Sequence, residues 1–175
     1  MGGDLRYYTE AQLKPYLKYL DEHLVYINCT TIVPTMSNII NQVESVMPKM
    51  NIDHLIVDPY SYLTWDTRIT ETEYIRSMLA TTRSWSLRYH VWTTIVVHPR
   101  KQNPNDDGRG NIKNRHLDMS DIWGSAHWAN MSDLIFGLNR VVEDQQDKSA
   151  TYTIDYAELY TIKSREQDIC RLGTT

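Results

Sequence analysis

Asp58, His98, Lys163 and Arg165 stand where an apolar or extended run of the chain gives way to polar sequence. Asp58 closes the run Leu55-Ile56-Val57, and His98 closes Thr94-Ile95-Val96-Val97. Runs of this kind suit strands of a parallel sheet buried on both faces, which deliver their last residues to the edge where ligands bind. A carboxylate at Asp58 can hold a water of a phosphate-bound Mg²⁺. An imidazole at His98 can donate a hydrogen bond to a phosphate oxygen and register its loss. The plainer alternatives are a turn-forming aspartate and a histidine that caps a strand.

A second group of residues follows His98 directly. Arg100, Lys101, Arg109, Lys113 and Arg115 are interleaved with Asn, Asp, Gly and Pro. Flexible cations in such a loop suit contact with a phosphate backbone, giving affinity that falls with salt and little sequence preference. A solvated surface loop partly neutralised by Asp106 and Asp107 is the other reading, although long structureless loops in compact domains tend to be functional. Lys163 and Arg165 follow an extended run. Cations there can reach a neighbouring subunit's nucleotide as an arginine finger, or form a strand-end salt-bridge pair. His116 and His127 have no ligand spacing with a thiol or carboxylate, so no zinc is assigned. Trp85, Trp92, Trp123 and Trp128 lack the spacing of a base-stacking platform and read as core or interface.

The elements that must position these residues are legible from periodicity. Residues 9–22 predict a helix with Thr9 and Gln12 at capping-box spacing, an apolar stripe of Leu13, Tyr16, Leu17 and Leu20, and Pro15 in or near its first turn. Leu24 to Ile27 predicts a short strand. Thr35 opens a second helix, buried through Ile39, Ile40, Val43 and Val46 and ending near Pro48. The strand before Asp58 is followed by a loop and by a third helix. Glu71 and Glu73 suit that helix's first turn, and Ile75, Met78, Leu79, Trp85 and Leu87 supply its apolar groups. The strand from His90 to Val97 comes next, and strand–helix–strand in this order implies a right-handed crossover between parallel strands. Gly124 to Met131 predicts a short helix and Leu134 to Leu138 a strand. Residues 143–149 predict a turn, and Tyr152 to Ile162 an extended run.

The bulk properties fit one domain. The chain has 175 residues, 41% of them hydrophobic and 23% charged, with a net charge of −4. That length supports a real core, and the acidic balance means that any nucleic-acid contact must come from a local patch. Cys29 and Cys170 form no C-x-x-C and read as reduced thiols. No apolar run reaches membrane-spanning length, so no membrane association is expected.

Taken in order, IDHLIVDPY, TTIVVHPRK, DIWGSAHWANMSD, the pair Asn139-Arg140, and IKSREQDICRLGT resemble successive motifs of the hexameric replicative DNA helicases. The resemblance is to the Twinkle-like and phage primase-helicase branch, related to the bacterial DnaB helicase. It covers the chain from about residue 50 onward. It implies an α/β, RecA-like three-layer fold with a mostly parallel central sheet, incomplete at the N-terminal side and ending in an antiparallel hairpin. Residues 1–175 would then be a partial ATPase domain, from the Walker B strand to the arginine-finger segment.

The resemblance also implies roles. Asp58 matches the Walker B aspartate that orders Mg²⁺ through water, and His98 the sensor of the γ-phosphate. Arg100, Lys101, Arg109, Lys113 and Arg115 fall on the central-channel loop that grips single-stranded DNA. Gly124-Ser125-Ala126 matches the small-residue turn after that loop, and Lys163 and Arg165 the basic pair that reaches the neighbour's nucleotide. ATP and Mg²⁺ are the implied cofactors of the complete motor, single-stranded DNA and a ring hexamer the implied partners, and the cytoplasm of a bacterial or phage-infected cell the implied location. One family element has no counterpart. None of the seven glycines opens the phosphate cradle G-x-x-x-x-G-K-[ST]. The chain therefore reads as the C-terminal part of an ATP-dependent helicase, inactive as a hydrolase by itself and binding nucleotide poorly. The alternative is a non-enzymatic RecA-like protein that binds DNA or a helicase.

Overall fold

The structure, a computed structural model, describes residues 9–99, 116–122, 124, 126–147 and 150–166. The predicted cations Arg100, Lys101, Arg109, Lys113 and Arg115, together with Ser125 and Trp123, lie outside the described residues. The chain is mixed α/β, with a two-stranded parallel sheet and a separate antiparallel hairpin.

Helix α1 spans Glu10–His23 and carries the expected capping box between Thr9 and Gln12. Pro15 sits in its second turn rather than its first, and α1 buries none of its side chains. Helix α2, Met36–Val46, is capped by the Thr35 hydroxyl, which accepts from Asn38 N at 3.2 Å. Its buried stripe is Met36, Ile39, Ile40 and Val43, while Val46 is half-buried. Between these helices Leu24 to Ile27 forms no strand, since among the described residues none offers it a ladder of hydrogen bonds.

Strands β1 (His54–Val57) and β2 (Trp92–Ile95) pair in parallel, His54 opposite Trp92 and Val57 opposite Ile95. Helix α3, Glu71–Tyr89, connects them. Its start is fixed by a second capping box, in which Thr70 and Glu73 satisfy each other's orphan backbone donors. Its end is His90 in the left-handed conformation, φ 57° and ψ 34°, where the strand was expected to begin. The expectation of burial on both faces is corrected for β1. Leu55 and Val57 are buried, whereas His54 and Ile56 are exposed. With two strands in this sheet among the described residues, alternation returns. The core is α2, α3 and the inward face of β1, centred on the fully buried Ile75. Leu87, expected among the apolar groups of α3, is exposed.

Helix α4 is short, His127–Met131, and ends before the hairpin of β3 (Leu134–Asp147) and β4 (Ala150–Ser164). The hairpin is much longer than expected. Residues 143–147, read from their acidic and polar content as turn, continue β3 and pair with 150–154. Cross-strand pairing overrides the weak local preference of such residues. A register irregularity falls between Ile135 and Phe136.

Candidate functional site at the sheet edge

Residues beyond both parallel strands are held together by main-chain bonds. Val96 N donates to Val57 O at 2.9 Å, and Tyr60 N donates back to Val96 O at 2.8 Å. Asp58 therefore leaves β1 beside Val96, and His98 leaves two residues further along the neighbouring strand. Both side chains are exposed at the same carboxyl edge. Asp58 and His98 thus leave the sheet at the same carboxyl edge.

Beneath this rim lies an aromatic floor that sequence reading missed. Tyr60 is buried, stacks on Trp65 and Tyr74, and meets Trp128 of α4 edge-on at 5.1 Å. Its hydroxyl donates to Glu71 Oε1 at 3.2 Å. Burial, and then the neighbouring Glu71 charge, push the Tyr60 hydroxyl well above the usual phenol range. Glu71 in turn sits below the small-residue turn. Gly124 has φ +100°, and a Cβ there would come within 2.9 Å of Ile75 Cδ1 and 3.4 Å of Glu71 Oε1. Only glycine satisfies both the backbone angle and the close approach. Ala126, the third position of the turn, precedes α4 as its N-cap. A bridge between Pro99 and Ile122 closes the circuit, so the residue after His98 pairs just before the Gly124 turn. Its signs in the sequence were the reading of Trp128 as core or interface and the DPY tripeptide, where Tyr60 reads as a loop residue.

Lys163 and Arg165 lie elsewhere. Lys163 Nζ donates to the carbonyls of Ala129 and Ser132, the latter at 2.7 Å, at the end of α4. Cations at a helix C-terminus satisfy its orphan carbonyls. Burial, and then repulsion from Arg165, lower the Lys163 pKa from its ordinary value. Arg165 reaches Asp133 Oδ1 at 2.9 Å and the Asn130 carbonyl at 3.2 Å. Asp133 also accepts from Arg83 of α3. Arg83 is twelve residues beyond Glu71 on α3, about 18 Å along the axis at about 1.5 Å per residue. The basic pair is thus attached to the end of α4 and, through Asp133 and Arg83, to the C-terminal half of α3. Among the described residues, no hydrogen bond or ion pair joins these cations to Asp58 or His98, and their own contacts are those of a strand-end salt bridge.

One carboxylate does not make a resident metal site, and among the described residues no group of three His, Cys, Asp or Glu side chains could hold an ion. The sequence is similar to a Twinkle homolog. This is the Twinkle homolog protein, chloroplastic/mitochondrial, of Arabidopsis thaliana, 31% identical over a match of 121 residues that covers 66% of this chain and 16% of that protein. The chain therefore spans about a sixth of the length of the Twinkle homolog. The chain matches no family model. Among the described residues, no helix is long and apolar enough to cross a membrane.

Proposed function

We propose that this chain is the C-terminal part of an ATP-dependent replicative DNA helicase motor, which couples nucleoside triphosphate hydrolysis to movement along single-stranded DNA. The observation that carries the reading is the delivery of Asp58 and His98 to one carboxyl edge by two parallel strands, with the basic segment following His98 directly. Similarity to the Twinkle homolog supports it. In this reading the β1–α3–β2 unit belongs to a RecA-like three-layer core. Asp58 holds a water of the nucleotide's Mg²⁺, an ion that would neutralise charge between the phosphates. His98 donates to the terminal phosphate. Lys163 and Arg165 reach the nucleotide of the next subunit in a ring hexamer. Arg100, Lys101, Arg109, Lys113 and Arg115 hold the DNA backbone. The relative's name is organellar, so the bacterial or phage-infected cell expected from the sequence draws no support from it.

A second reading is favoured by one specific feature. A chain without G-x-x-x-x-G-K-[ST] lacks the backbone cradle for nucleotide phosphates, which suits a non-enzymatic RecA-like protein that binds DNA or a helicase. Hydrolysis separates the two. In a protein that joins this chain to a P-loop segment, DNA-stimulated hydrolysis should be lost in Asp58→Ala, and lost in Arg165→Ala with nucleotide binding spared. Near-normal turnover in both variants would remove these residues from the reaction and leave the second reading.

A further inference from the structure

Leu13, Leu17, Leu20 and Leu24 recur along helix α1 and its C-cap at steps of four, three and four residues. That is the heptad spacing of a helix that packs on another helix along one narrow seam. The four leucines are between 39% and 61% exposed, and α1 buries none of its side chains. An amphipathic helix of 14 residues gains most of its stability from covering such a face. The groups directed away from the seam are already settled. Lys18 pairs with Glu22 four residues on, at 3.7 Å, and Pro15, which has no backbone N–H to donate, lies on the same outer side. Lys14 and Asp21 differ from these. They flank the seam on one side, one heptad apart and opposite in sign, each without an ion-pair partner among the described residues. Tyr16 and His23 flank it on the other side.

We propose that α1 is a dimerisation helix, covered by α1 of a second copy of this chain packed antiparallel to it. In that arrangement Leu17 of one copy meets Leu20 of the other and Leu13 meets Leu24, each contact made twice about a two-fold axis. The same register sets Lys14 of each copy beside Asp21 of the other, so two ion pairs close one side of the seam. A contact between identical surfaces must be complementary to itself. A flank that runs from cation to anion meets this condition only when the second copy is inverted. A parallel pair would set Lys14 against Thr9 and Asp21 against Tyr16, leaving both charges unmatched. The pairing requires neither nucleotide nor DNA and is independent of the helicase reading.

The test is sedimentation velocity of the whole chain over a concentration series, comparing Lys14→Glu, Asp21→Lys, their equimolar mixture and Leu17→Asp with the wild type. The wild type should pass from monomer to dimer as its concentration rises. Each charge reversal sets two like-charged pairs across the seam and should weaken the dimer about tenfold. Lys14→Glu also places a carboxylate four residues before Lys18, which strengthens the isolated helix and opposes any loss through unfolding. The equimolar mixture should recover wild-type affinity, because both flanking pairs of the mixed dimer are again opposite in sign. Leu17→Asp should abolish the dimer and leave tryptophan fluorescence unchanged, since α1 carries no tryptophan and buries nothing. A wild type that stays monomeric up to about 1 mM would overturn the proposal. So would a dimer that survives Leu17→Asp, which would place the contact elsewhere in the chain. A dimer lost in Leu17→Asp but unmoved by either charge reversal, or a mixture that fails to recover, would overturn the antiparallel pairing.

Discussion

Tyr60 N–H donates to Val96 O at 2.8 Å, joining the residues just past β1 and β2 at the carboxyl edge of the sheet. Together with the Val96 N–H that donates to Val57 O, this bond keeps the exits of Asp58 and His98 side by side. The Tyr60 side chain extends the link downward, to Glu71 by its hydroxyl and to Trp128 by its ring. A site assembled in this way should be sensitive to Tyr60 in two separable steps.

Tyr60→Phe removes only the hydroxyl bond to Glu71 and should cost about 0.5–1.5 kcal/mol. Tyr60→Ala also empties the space among Trp65, Tyr74 and Trp128, and should cost about 3–5 kcal/mol. Urea unfolding followed by tryptophan fluorescence measures both. The hydroxyl has a pH signature as well. Its pKa is raised in the folded chain, by burial first and the Glu71 charge second. Its contribution is therefore fully present below the ordinary phenol value near 10 and is lost as pH rises toward the higher folded value. The alkaline fall in stability should be shallower in Tyr60→Phe. Identical alkaline limbs would contradict the buried hydroxyl.

Gly124→Ala should destabilise by about 1–3 kcal/mol, because the new methyl meets Ile75 and Glu71 while the backbone stays at positive φ. The comparison that isolates the cause is Ala126→Gly. Its position has φ −60° and makes no such demand, so it should lose under about 1 kcal/mol. Equal losses at both positions would remove the close approach as the explanation.

Asp133 accepts from both Arg83 and Arg165, but all three side chains are at least 40% exposed. Water screens such pairs, so Asp133→Asn should change stability by no more than about 1 kcal/mol, and by less at high salt. Loss of several kcal/mol would mean that the junction of α3, α4 and β4 depends on these ions.

Much of the scaffold was legible in the sequence because it is local. Three helices, the capping box of α1 (Thr9 with Gln12) and the acidic first turn of α3 follow from spacing a few residues long, and the parallel strand order from the strand–helix–strand succession. What was not legible depends on partners distant in sequence. The exposure of Ile56 follows from how many strands lie beside β1, and the length of β3 from the presence of β4. Of the site, the apolar runs before Asp58 and His98 pointed to the shared edge. Tyr60 and Glu71 carry no local signature, since each acquires its meaning from the other, eleven positions away.

The central claim is that the segment after His98 holds single-stranded DNA for a helicase motor. It is tested most directly by the salt dependence of oligo(dT) binding to this chain and to the double variant Lys101→Ala, Lys113→Ala. The wild type should bind with an affinity that falls as salt rises, and the double variant should bind more weakly with a slope reduced by about 0.7 for each phosphate contact removed. No binding by the wild type, or an unchanged slope in the double variant, would contradict the claim.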